Sequence, residues 1–163
     1  MDREIRFIFM DVDGTLTDGK IYMGVKGEKF KAFSIKDGYS ISNVLPQYNI
    51  APVVITGRDS EIVNYRCKEL GINYVFQSVV DKKEKLLEFA RQQGLSVDED
   101  GIIQEIAYIG DDLPDYECMK IAKFAGCPKD AVEEIKGCAN FISSYNGGEG
   151  AVREFIEWII NCG

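Results

Sequence analysis

Ile5-Arg6-Phe7-Ile8-Phe9-Met10-Asp11-Val12-Asp13-Gly14-Thr15 is the stretch on which the fold turns. Its first six residues form a nearly continuous apolar run that stops abruptly at Asp11. A strand wetted on one face would alternate apolar and polar residues. A continuous run is instead the pattern of a strand buried on both faces of a parallel sheet. On such sheets ligands bind beyond the carboxyl ends of the strands, and here that end carries two aspartates with one residue between them.

Working outward, further short apolar runs read as strands at 51–55, 74–76, 106–109, 124–125 and 140–142. Segments of helical period lie between them, near 37–47, 60–70, 82–93, 112–122, 130–136 and 150–161. Alternation of this kind predicts an α/β fold, a Rossmann-like parallel sheet with helices on both faces. The last helix has the clearest stripe, Val152, Phe155, Ile156, Ile159 and Ile160, while Trp158 falls off it, positioned for a partner. Residues 21–33 break the pattern: aromatic and β-branched residues surround Gly24-Val25-Lys26-Gly27, which predicts a small hairpin flap after the first strand. No stretch is left over for a large cap domain, and the 163 residues suit one domain with one sizeable core.

The bulk chemistry excludes several function classes. With 27 acidic and 19 basic residues the formal charge is −8, which argues against nucleic-acid binding through phosphate neutralisation and requires a local cation for any anionic substrate. Histidine is absent, so Ser-His and Cys-His catalysis and imidazole zinc sites are ruled out. The five cysteines form no C-x-x-C pair, and none is followed six positions later by the arginine of a thiolate phosphatase. There is neither a leader pattern nor an apolar run of membrane-spanning length, so a soluble, cytoplasmic protein without a membrane partner is expected. Acid and base chemistry falls to carboxylates.

Two aspartates as close as Asp11 and Asp13 can both ionise only beside a cation or a shared proton. A calcium EF-hand also opens D-x-D, but its sixth and twelfth positions would be Leu16 and Tyr22 rather than glycine and glutamate. Gly14, Gly19 and Lys20 match the start of a nucleotide-binding P-loop, yet Ile21 replaces the metal-binding hydroxyl and a hairpin, not a helix, follows. Both matches are set aside.

Asp11-Val12-Asp13-Gly14-Thr15-Leu16-Thr17-Asp18 resembles the first motif of the haloacid dehalogenase (HAD) superfamily of phosphohydrolases. Val54-Ile55-Thr56-Gly57-Arg58 resembles the second motif, Lys82 after Val79-Val80-Asp81 the third, and Gly110-Asp111-Asp112-Leu113-Pro114-Asp115 the acidic fourth. The resemblance implies a HAD-like fold in which Asp11 attacks phosphorus and Asp13 serves as acid and then base. It also implies Thr56, Gly57 and Lys82 on the phosphate, and Mg2+ held by Asp11, Asp111 and the backbone carbonyl of Asp13. Asp112 would stand behind, orienting waters or Lys82. Asp115 reads either as a residue supporting the ligands or as one placed in a helix's first turn for the dipole.

Within the superfamily, Tyr22-Met23-Gly24, Lys31-Ala32-Phe33, Lys36-Asp37-Gly38-Tyr39 and the run Gly148 to Glu154 resemble the small capless phosphatases of 3-deoxy-D-manno-octulosonate (KDO) 8-phosphate. That implies a sugar-acid phosphate substrate and a homotetramer whose subunits close each other's sites. A sister group acting on nine-carbon sugar-acid phosphates tends to carry Glu where this chain has Arg58, which favours the eight-carbon ester. The planar fork of Arg58 suits a carboxylate; Arg66 is a second candidate, or else a helix-surface charge. The chain stops at Gly163, so a longer tail closing a neighbour's site is not expected. Against these enzyme readings stands a weakly active module associated with a nucleotide-sugar synthase, which would not need the complete acidic set.

Overall fold

The computed structural model describes residues 5–162. A six-stranded sheet runs in the order β5 (Tyr74–Phe76), β4 (Ala51–Ile55), β1 (Phe7–Met10), β6 (Ile103–Ile109), β7 (Ala122–Cys127), β8 (Phe141–Ile142), every neighbouring pair parallel. The expected strands are all present. The run at 106–109 begins earlier, at Ile103, after a break in register, and the regular part of the first strand starts at Phe7 rather than Ile5.

Side chains of β1 alternate between two cores, as a strand covered on both faces must. Ile8 and Met10 face Val54, Ile109, Phe155 and Ile156, while Phe7 and Phe9 face Val53, Tyr108, Leu86 and Phe89. After α1 (Ile35–Tyr39), the turns over 40–48 join α2 (Glu61–Glu69) and α6 (Ala151–Cys162) in covering the first core; the second lies under α3 (Lys82–Gln92), α4 (Tyr116–Ile121) and α5 (Glu133–Cys138). Chain order reverses across β1, because β4 lies on one side and β6 on the other. The crevice created by that reversal opens where Asp11 leaves the sheet.

Three local expectations need correction. The helix expected at 37–47 is short: after α1 the chain passes through wider turns and then a tight turn at Leu45–Tyr48, with Pro46 near its start and Asn49 closing it at φ 55°. The helix expected at 112–122 opens as a tight turn, Leu113–Asp115, before α4 begins. Trp158 does not fall outside the packed face; partly buried, it packs on Phe124, Phe141 and Phe155 of its own chain, with ring centroids 5.2–6.0 Å away. Its helical stripe was read without the aromatic edge of the sheet that β7 and β8 supply.

The flap is β2 (Tyr22–Gly24) paired with β3 (Gly27–Phe30), with Gly27 at φ 110° in the turn. A bridge between Thr17 and Phe33 closes its base. Helix α6 crosses the sheet so closely that a Cβ at Gly126 would lie 2.5 Å from the ring of Phe155. Phe155 is fully buried. Truncating it to alanine is expected to cost about 3–5 kcal/mol in urea or guanidinium unfolding.

Candidate active site

Asp11 caps the end of β1, its amide donating to the carbonyl of Ile109 at 3.1 Å. The following loop turns tightly because Gly14 takes φ 93°, which a side chain resists. Space demands glycine too: a Cβ there would lie 2.0 Å from Asp111 Oδ2. Thr15 Oγ1 donates to Asp111 Oδ1 at 3.1 Å, joining the loops that leave β1 and β6. A third segment locks them from above, where the Gly148 amide donates to the Thr15 carbonyl and Gly147 leaves no room for a Cβ against Gly14.

Carboxylate oxygens of Asp11, Asp111 and Asp115 lie within 4.8 Å of one another. Lys82, the first residue of α3, reaches between two of them, 2.7 Å from Asp11 Oδ1 and 2.8 Å from Asp115 Oδ1. Asp115 is fully engaged: Oδ1 also accepts from the Tyr108 hydroxyl at 2.7 Å, and Oδ2 accepts from the amides of Asp111 and Asp112. It therefore both supports the cluster and belongs to the first turn ahead of α4. Lys82 is oriented by Asp115 rather than by Asp112, whose exposed side chain accepts from the amide of Leu113.

The electrostatics follow from burial. Burial first, and then the charge of Asp115, raise the Asp11 carboxyl well above the usual carboxylate range, with Lys82 opposing. Burial likewise raises Asp111, to about 6. Burial alone would lower the Lys82 ammonium, but Asp11 and Asp115 outweigh it and hold the group above its ordinary value. The all-oxygen donor set, with Asp115 already spent, leaves Asp11 and Asp111 as a pair of carboxylates crowded enough to need a cation. That fits a magnesium ion, which takes one or two carboxylates and keeps several waters.

At the rim, Asp13 Oδ1 pairs with Lys31 Nζ at 2.5 Å, and Lys31 also reaches Glu28 Oε2 on the flap at 2.9 Å. Thr56 is buried at the end of β4, with Gly57 and Arg58 following on an exposed turn. Arg66 lies elsewhere. It pairs with Glu69, sits 5.6 Å from the Phe33 ring and packs over Gly38 on α1. Its contacts are packing ones, and among the described residues none of them reaches the acidic cluster. Sequence reasoning missed Glu28, Lys31 and Tyr108 as parts of the site. A hydroxyl in the otherwise apolar run 106–109 needs a buried partner and could have flagged Tyr108; the two flap charges carried no local signal.

No protein-family model matches the chain. It is 37% identical over 156 residues to the 3-deoxy-D-manno-octulosonate 8-phosphate phosphatase KdsC of Salmonella typhi, covering 96% of this chain and 79% of that protein. The chain belongs to that phosphatase family. The Escherichia coli K12 enzyme is 36% identical with the same coverage. Among solved structures, the Moraxella catarrhalis phosphatase in complex with magnesium, phosphate and KDO superposes with a TM-score of 0.88 at 37% identity, covering 96% of this chain and 86% of that one. The cobalt-bound Haemophilus influenzae phosphatase gives 0.87 at 32% identity, covering 97% and 88%.

The raised carboxyls give a signed pH expectation. Both bind protons more readily in the folded protein, so each lends the metal-free protein stability at low pH that is lost as pH rises, for Asp111 between the unfolded carboxyl range of ~4 and about 6. Mg2+ competes with those protons. At saturating Mg2+, Tm should rise by about 5–10 °C at pH 7.5 and by clearly less at pH 5, measured by thermal melting.

Proposed function

We propose that this protein hydrolyses the phosphate monoester of a sugar acid, 3-deoxy-D-manno-octulosonate 8-phosphate, with Mg2+ and through a phosphoaspartate on Asp11. The observation that carries the reading is the meeting of Asp11 and Asp111 with Lys82 at the end of the central strand. Family membership and the ligands named for the Moraxella relative support the substrate.

Each residue then has a physical role. Asp11 attacks phosphorus while the bond to the departing sugar oxygen breaks, and Asp13 gives that oxygen its proton. Asp13 next takes a proton from water, whose oxygen attacks the phosphoaspartate and frees Asp11 as a carboxylate. Lys82, already beside Asp11, supplies positive charge to the equatorial oxygens, and Thr56 and Gly57 close the phosphate's other side. Asp11, Asp111 and the Asp13 carbonyl would hold the Mg2+, which when bound neutralises phosphate charge and lets both carboxylates ionise. Arg58, exposed at the mouth, is the cation offered to the sugar acid's carboxylate.

We further read the protein as a single-domain homotetramer in the cytoplasm. Met23 is 65% exposed and Val25 wholly so, with Ile21 and Phe30 half exposed, so the flap carries apolar surface suited to another copy of the chain. Among the described residues no helix is long and apolar enough to cross a membrane, and the five free thiols suit a reducing compartment.

Phosphate release from a panel of sugar phosphates, with and without Mg2+, tests the reading. Activity should be highest on the octulosonate ester and vanish with chelator, and Asp11→Asn should lower kcat by at least about 1,000-fold. Faster turnover of a nine-carbon sugar-acid phosphate would reassign the substrate.

A further inference from the structure

Outside the acidic cluster, one group of charges is built across the mouth of the site. Glu28, on β3 of the flap, reaches over to the loop between β4 and α2. Its Oε1 accepts from the Ser60 hydroxyl at 2.8 Å, and its Oε2 accepts from Lys31 at 2.9 Å and from Arg58 NH2 at 3.3 Å. The carboxylate is mostly covered, its side chain 13% exposed, and these three contacts hold it below the ordinary carboxylate range despite burial. The Arg58 side chain is 42% exposed, and among the described residues Glu28 is the one polar partner of its guanidinium, touched through a single nitrogen. One edge of the guanidinium is thus fixed, while the rest of its fork of donors stays open toward solvent. Lys31, gripped by the same carboxylate oxygen, is the side chain that pairs with Asp13.

We infer that Glu28 is a positioning residue for substrate selection: it pins Arg58 and the flap to each other so that the free face of the guanidinium receives the carboxylate of an acidic sugar phosphate. The inference rests on the substrate class proposed above. A long, exposed arginine loses considerable side-chain freedom when it binds, and fixing one edge beforehand lessens that loss. Phosphate recognition does not pass through Glu28, because Asp11, Lys82 and Thr56 are held by the sheet and not by the flap. Whatever passes from Glu28 through Lys31 to Asp13 falls on every ester alike, whereas what passes through Arg58 falls on carboxylate-bearing substrates in addition.

The test compares Glu28→Gln, which keeps the shape and removes the charge, with the unaltered protein on KDO 8-phosphate and on glucose 6-phosphate, which lacks a carboxylate. The ratio of kcat/KM for KDO 8-phosphate to that for glucose 6-phosphate should fall roughly 5- to 20-fold, through a raised KM for the sugar-acid ester. Adding Glu28→Gln to Arg58→Ala should lower that ratio no further, since preference for the acidic ester passes through the one contact between them. Equal losses on both esters, or a further fall of the ratio in the double variant, would overturn the role of Glu28. If the unaltered protein itself shows no preference for the acidic ester, the substrate reading falls and takes the inference with it. Thermal melts of each variant separate these results from simple unfolding.

Discussion

Lys82 stands between Asp11 and Asp115 at the end of the central strand, and much of the molecule is arranged to make that buried contact tolerable. Three carboxylates gathered in a dry crevice repel one another, and losing one member of such a buried pair generally costs about 3–5 kcal/mol. The protein meets this cost by saturating one acid completely. Asp115 accepts from a lysine, a tyrosine and two amides, which fixes Lys82 and leaves Asp11 and Asp111 as the acids free for chemistry. The sheet makes this possible, because β1, β4 and β6 are adjacent and end together, so residues far apart in sequence emerge side by side.

Glycines complete the arrangement by removing side chains where backbones and carboxylates must meet. Gly14 lets Asp111 approach the loop after β1, and Gly147 lets a third loop lie on Gly14. The site is in this sense a stack of three loops, tied by Thr15 and by the amide of Gly148. The flap is attached more lightly, through its base at Thr17 and Phe33 and through the charges of Glu28 and Lys31. A rigid floor and a loosely tethered rim suit a site whose phosphate end is constant and whose sugar end must discriminate.

The sheet was legible because strands buried on both faces leave continuous apolar runs, and β1 announced its own end with Asp11. The hairpin was legible from its glycines. The first helix was not, because wider and tighter turns before Asn49 carry the same apolar spacing as regular helix. The gathering of Asp11, Asp111 and Lys82 could be anticipated from motif order, whereas the saturation of Asp115 could not: it depends on Tyr108, which reads in sequence as one more apolar strand residue. Arg66 misled for the converse reason. Its charge was visible, but the aromatic ring of Phe33 and the bare backbone of Gly38, which absorb it, come from a distant part of the chain.

The lone tryptophan gains a use from its position. Trp158 rests on Phe124, Phe141 and Phe155 at the β7–β8 margin, at the opposite end of the sheet order from β5 and β4. Its emission therefore reports the integrity of that margin and of α6. Fluorescence can follow the folding of that margin, and a divergence from far-ultraviolet circular dichroism would reveal the margin fraying ahead of the rest.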